Sequence, residues 1–474
     1  MTSDNNTRIL DEYRFFDTNP AVRDIAYSLY QGVKHLPLYC PHGHVDPALF
    51  SENLPFKNPA ELFIKPDHYV FRLLYSQGIP LERLGIRSVD GTQSESDDKK
   101  IWKLFSEHFY LFSGTPTGVW INYELTELFG IRKKLNADTA EEIWDELETK
   151  LHTPDFLPRT LFEKFNITVL STTDAATDSL EHHIKIKESN WKGKVIPTFR
   201  PDGIVKLSGN NWKENIRLLN MRCGFEITSY QSFIRAIENR REYFKSVGAV
   251  ATDHDIFIPY TERISDANAD WLLQKALNGT ITPNESATFE SHMMMEFARM
   301  STEDGLTMQI HPGSFRNHNV PLYDKFGPDK GADIPVRTEF TVNLRNLLNA
   351  YGNNPKFSLV VFTLDETSYA RELAPLAGHY PAMRLGPPWW FHDSIEGMQR
   401  YRRMVTETAS IYNTAGFNDD TRAFLSIPAR HDLSRRMDAT YVAELVAKNI
   451  IDRDDAIRMM YELTNGLVKK TYHL

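Results

Sequence analysis

Short apolar runs recur along the chain, each followed by a polar or glycine-containing turn and a stretch of helical periodicity. They read PLYC (37–40), ITVLST (167–172), KVIPTF (194–199), GAVATD (248–253), LTMQIH (306–311), FSLVVFTL (357–364), PAMRLG (381–386) and NTAGFN (413–418). Most are near-continuous rather than alternating, which is the pattern of parallel strands covered on both faces. The last two are weak and take their place from the series. Helical patterns lie between them. DSLEHHIKIKES follows the second run, and YQSFIRAIENRREYFKSVG, ESATFESHMMMEFARM and RTEFTVNLRNLLNAYG precede the fourth, fifth and sixth, the last ending at a C-cap glycine, Gly352. Eight strands alternating with helices predict an α/β fold, a (β/α)8 barrel of the TIM type.

The interval from 41 to 166 breaks this rhythm. It is helical in pattern throughout, with an acidic N-cap at Asp67 and a capping signal at Thr139 in ADTAEEIW. The organisation expected is an N-terminal helix and first barrel strand over 1–44, a helical insertion over the barrel mouth at 45–165, and the rest of the barrel with C-terminal helices over 166–474. The methionine-rich face SHMMMEFARM reads as core. His431, Arg435 and Arg436 read as a solvated helix start.

Composition narrows the function. The chain has 474 residues, 41% apolar and 25% charged, enough for a large core in an ordinary soluble protein. A net charge of −9 argues against a nucleic-acid partner, which needs a basic face. Two cysteines, Cys40 and Cys223, make no disulfide framework for so long a chain and suit a reducing compartment. The polar, acidic beginning has no leader pattern, and no apolar run reaches the ~20 residues of a membrane span. A cytoplasmic protein without membrane partners is expected, and a homo-oligomer is compatible with it. There is no convincing GxGxxG and no P-loop, so no nucleotide cofactor is expected.

Chemistry-bearing residues fall at the ends of the predicted strands, where barrel active sites sit. His42 and His44 follow the first strand two residues apart, so their imidazoles share a face and can hold a divalent metal. On its own the pair is a weak motif, and turn histidines that only make hydrogen bonds are the commoner case. Thr173 and Asp174, Arg200, Asp253 and His254, His311, and Asp420 with Arg422 end or follow later strands. Asp365 follows the sixth.

Several segments together resemble the uronate isomerase family, also called glucuronate isomerase, of the amidohydrolase superfamily. They are HGHVDP (42–47), PDHYVFRLL (66–74), LSTTDAATDSLEHH (170–183), VIPTFRPD (195–202), MQIHPGSFRNHN (308–319), PPWWFHDSIEGM (387–398) and DDTRAFLSIPARHDLSRR (419–436). They stand in family order over nearly the whole chain. The resemblance implies a distorted (β/α)8 barrel with a helical insertion after strand one. It also implies an aldose–ketose isomerase that interconverts D-glucuronate with D-fructuronate and D-galacturonate with D-tagaturonate.

By motif, the resemblance makes His42, His44 and Asp420 metal ligands and His311 a further ligand or a substrate contact. It gives His68, Tyr69, Arg200 and Arg422 to binding or processing the uronate. Trp389 would wall the site. The metal would be divalent; zinc suits the histidines, and manganese or iron can occupy the same donors. Two departures stand out: Cys40 replaces the acidic residue usual two positions before the first histidine, and Pro41 follows it. The chemistry is consistent with these residues. Moving a proton from C2 to C1 needs a positioned base and an electrophile near the oxygens, both within reach of Asp420 and a metal. A guanidinium fork matches the substrate's carboxylate. The competing reading is a metal-dependent hydrolase of the same superfamily, a lactonase, deaminase or decarboxylase acting on an acidic substrate.

Overall fold

The apolar runs pair side by side, in parallel, in the order they occur. The computed structural model describes Thr7 and residues 10–474. The first strand, Leu38–Cys40, pairs with Ile167–Ser171, which pairs in turn with Val195–Ile196. The second and third strands then break and resume as Asp174–Ala175 and Phe199–Arg200, with Asp174 opposite Phe199. Phe199 pairs with Thr252 of Ala251–Ile256, and that strand runs beside Thr307–Pro312 from Ala251 opposite Thr307 to Ile256 opposite Pro312. Leu359–Val361 and Met383–Leu385 follow. The result is the expected (β/α)8 barrel, distorted at two strands and at its closure.

Before the C-terminal helices the structure corrects the sequence reading in four places. The eighth run, 413–418, forms no strand and makes one parallel bridge, Leu385 to Thr414. Ring closure passes instead to the loop beyond it, where His44 N donates to Thr421 O at 3.0 Å. The fourth strand begins three residues later than its apolar run, carrying Asp253, His254 and Asp255 into the sheet. The helix before the sixth strand is short, Arg345–Tyr351. Thr139 does not cap its helix: its hydroxyl donates to Lys134 O at 2.5 Å and accepts from Asn136 N at 3.1 Å, closing the preceding turn instead.

The interval 45–165 carries helices at Ala48–Glu52, Pro59–Phe63, His68–Ser76, Asp98–Glu107, Pro116–Tyr123, Ala140–Leu151 and Pro158–Lys164. Their apolar faces close on an aromatic core of Phe50, Phe63, Trp102, Phe105, Phe112 and Trp144, all buried. Each such burial stabilises by roughly 1.5–3 kcal/mol. The core is continuous with Leu38, Cys40, Ile167 and Leu170, so these helices lean on the first two strands. Asp67 accepts from Tyr69 N at 2.8 Å, a side-chain cap that starts the His68–Ser76 helix and holds His68 and Tyr69 in its first turn.

On the other side, the helix Pro283–Asp304 opens with a Thr282–Glu285 capping box and buries Met293, Met294, Met295 and Met300 in the main core, as the pattern predicts. The helix Ile427–Ala447 departs from expectation. His431, Arg435 and Arg436 are buried, not solvated. Arg436 pairs with Asp432 at 3.0 Å, and Arg435 donates to Lys34 O, Leu36 O and Pro37 O. Among the described residues no helix is long and apolar enough to cross a membrane.

Candidate active site

The strand ends meet in one place. His42 and His44 leave the first strand with their rings 5.3 Å apart and nearly perpendicular. Asp420 reaches them from the closing loop: Oδ1 lies 3.5 Å from His42 Nε2 and 3.3 Å from His44 Nε2. His311, at the end of the fifth strand, stacks on His42 at 4.7 Å between ring centres and on Phe362 at 4.0 Å. Its Nδ1 is held by Asp253 Oδ1 at 2.6 Å. Beyond it Gly313 turns the chain with φ +88°, where a Cβ would run into Thr338 Oγ1.

Donor atoms of His42, His311 and Asp420 lie within 4.8 Å of one another. His42 Nδ1 and His311 Nε2 are buried with no hydrogen-bond partner among the described residues. An unmet buried polar atom costs ~1–3 kcal/mol. A cation at His311 Nε2 removes one of those costs, while Asp253 on the other nitrogen fixes the ring, as second partners of metal-bound histidines commonly do.

The protonation states also fit. Burial lowers the His42 pKa to about 4, so the ring is neutral and free to ligate. Burial opposes charge on Asp420, yet His42 and His44 beside it hold its carboxyl below the usual carboxylate range. Asp253 is likewise held well below that range: burial pushes it up, and His311 and Arg200 outweigh the push. A neutral imidazole beside ionised carboxylates suits a divalent metal.

Above this floor lies a cavity of about 370 Å³. His44, His68, Tyr69, Arg200, Trp389, Asp420 and Arg422 line it, and His42 and His311 sit beneath it. Trp389 packs edge-on to His311 at 4.7 Å, and Trp390 edge-on to His68 at 5.1 Å. Burial, with Arg422 nearby, lowers the His68 pKa to about 3. Burial and then Asp393 raise the Tyr69 hydroxyl well above its ordinary value, so it stays a donor.

The two arginines differ in their company. Arg200 is held by Asp202 at 2.5 Å, Asp253 at 3.4 Å and Asp255 at 3.7 Å. Among the described residues Arg422 forms an ion pair with Asp329 alone, at 3.1 Å, and the two side chains are 41% and 49% exposed. Neither Asp419 nor Asp420 takes Arg422 as a partner among the ion pairs of the described residues.

Three residues of the site went unrecognised in the sequence. Arg316 lines the cavity, bonded to Asp333 at 2.6 Å and Asp255 at 3.0 Å. Arg430 also lines it, largely buried, donating to Asp393 at 2.8 Å and lying 3.5 Å over the Trp120 ring. Asp393 also faces the Tyr69 hydroxyl at 3.5 Å. Arg316 stands in GSFRN just after the His311 strand, a position that could have marked it. Arg430 and Asp393 had no such signal.

A family model described as glucuronate isomerase matches residues 15–470. A uronate isomerase of Nostoc punctiforme is 51% identical over 467 residues, 98% of each chain. The crystal structure of a glucuronate isomerase from Caulobacter crescentus superposes with a TM-score of 0.96 at 47% identity, covering 98% of this chain and 97% of the other. A uronate isomerase structure from Thermotoga maritima gives a TM-score of 0.91 at 30% identity, covering 98% and 99%. With this match running from end to end and through every segment that builds the cavity, the chain belongs to the glucuronate isomerase family.

Proposed function

We propose that this cavity interconverts D-glucuronate with D-fructuronate, and D-galacturonate with D-tagaturonate, by moving a proton from C2 to C1. One observation carries the reading. His44 from one end of the chain and the ionised Asp420 carboxylate and Arg422 guanidinium from the other border the same cavity, with the donor atoms of His42 and His311 within 4.8 Å of that carboxylate. Its size falls within the range of small-molecule sites.

His42, His44 and Asp420 would hold the metal, with His311 completing the set, and the imidazoles favour zinc. When bound, a divalent cation polarises the oxygens of the reacting carbons. Asp420 takes the C2 proton and returns it at C1; its carboxylate is ionised through the neutral range. Tyr69 donates its hydroxyl to an enediol oxygen, and neutral His68 sits beside it. Arg422 receives the far carboxylate of the sugar, because its present partner is one half-exposed aspartate. Arg200 shapes the same wall with its charge already met by three carboxylates, and Trp389 closes the apolar side.

In this reading residues 45–165 form a unit over the mouth that supplies His68 and Tyr69, and 1–44 with 166–474 make the barrel. A reducing, cytoplasmic setting suits the two free cysteines. The test is to assay ketose formation from both uronates on one sample whose metal content is measured. Turnover of at least one, with about one divalent ion per chain, is expected. A preparation that leaves both sugars unchanged would refute the isomerase.

A further inference from the structure

Asp420 is held in a backbone conformation that a non-glycine residue seldom adopts, with φ +36°. Such a conformation persists where its surroundings over-determine it. On its far side, Thr421 O accepts from His44 N at 3.0 Å, and Thr421 Oγ1 accepts from Ala423 N at 2.9 Å. On its near side, Asp419 is buried, and its carboxylate Oδ2 accepts from His431 Nε2 at 3.1 Å. Asp419 O also accepts from Arg430 Nη1 at 3.3 Å. His431 reaches one element further, lying 3.8 Å from Cys40 Sγ. Cys40 stands two residues before His42 at the end of the same strand.

The buried ring of His431 thus touches both segments that must converge: the strand leading to His42 and His44, and the loop carrying Asp420. It does not line the cavity. We propose that His431 is a positioning residue that acts through Asp419. It fixes the backbone on one side of Asp420 against the first strand, so that the Asp420 carboxylate is presented to His42 and His44 before any metal arrives. Cys40 supplies the contact on the strand side.

The inference rests on the metal site read above, though not on the sugar. Its test is the affinity of the full-length protein for zinc alone, measured by competition with a chelating dye, alongside the melting temperature and the number of ions bound. His431→Phe keeps a ring and removes the donor; His431→Gln restores an N–H near the position of Nε2. His431→Phe should weaken zinc binding about 10–100-fold, and His431→Gln should recover most of it. In a uronate assay the Phe variant should lose kcat with little change in KM.

Two results would overturn the proposal: unchanged zinc affinity in folded His431→Phe, whatever its melting temperature, or two bound ions in the wild type falling to one, which would make Cys40, Asp419 and His431 a metal site in their own right. If the Phe variant does not fold, Asp419→Asn is expected to show the same loss, and wild-type affinity there would be equally fatal. Tight zinc binding by a wild type that converts neither uronate would sink the isomerase reading and leave this inference standing.

Discussion

Asp420 Oδ1 lies 3.5 Å from His42 Nε2, although the two residues stand near opposite ends of the chain. A barrel whose last loop closes on its first strand brings them together, and Thr421 and His44 make that closure through their main chains. The carboxylate is ionised because of this neighbourhood. Asp420→Asn keeps the shape and removes the base. Ketose formation should fall about 10²–10⁴-fold, the usual size of a general-base contribution. Retained turnover would remove Asp420 from the proton transfer.

Arg422 and Arg200 should respond differently to loss of charge. Arg422→Met breaks one exposed pair, worth ~0–1 kcal/mol to the fold, so melting should hardly change. Without its fork the uronate KM should rise about 10–100-fold, the value of a charge-assisted hydrogen bond of ~1.5–3 kcal/mol. Arg200→Met leaves Asp202, Asp253 and Asp255 without their shared cation. It should lower both turnover and the melting temperature. Wild-type KM in Arg422→Met would contradict its assignment to the substrate carboxylate.

Tyr69→Phe removes a hydroxyl that burial keeps protonated. The ring and its edge contact with Trp120, at 5.7 Å, remain. A drop in kcat with an intact melting curve is expected, measured by steady-state assay and calorimetry. A wild-type kcat would reduce Tyr69 to packing.

Glu124 opens the π-helical segment Glu124–Leu128 that continues the helix Pro116–Tyr123, and its burial makes stability depend on pH. Burial, with Asp67 adding to it, raises its pKa from 4.5 to about 8. Below pH 4.5 the acid is neutral in both the folded and unfolded chain. Between there and about 8 the unfolded chain ionises first, so stability is lost as pH rises through that window. Glu124→Gln removes this term. Relative to wild type the variant should gain on the order of 2–5 kcal/mol between pH 5 and pH 8, by urea unfolding at each pH. An equal difference at both pH values would contradict it.

The parts of this structure that were legible in the sequence share one property: local pattern and burial agree. The second, fifth and sixth strands are near-continuous apolar runs in the covered sheet, and His42, His44 and His311 stand at or just past strand ends, where they gather around Asp420. Where tertiary contacts supply what the local pattern lacks, the reading failed. The eighth run has no partner ladder beyond Thr414, and closure falls to a hydrogen bond at Thr421. Residues 427–447 look solvated because of their charges, yet Arg402 with Asp438 and Arg436 with Asp432 neutralise them inside. Arg430 and Asp393 meet across the fold, and neither stands in a pattern that announces the other.

The most direct measurement is the proton NMR spectrum of D-glucuronate incubated with the folded, metal-loaded wild-type protein. D-fructuronate signals should grow to an equilibrium mixture. A spectrum that stays that of the aldose, from protein shown to be folded and to carry its metal, would contradict the proposed isomerisation.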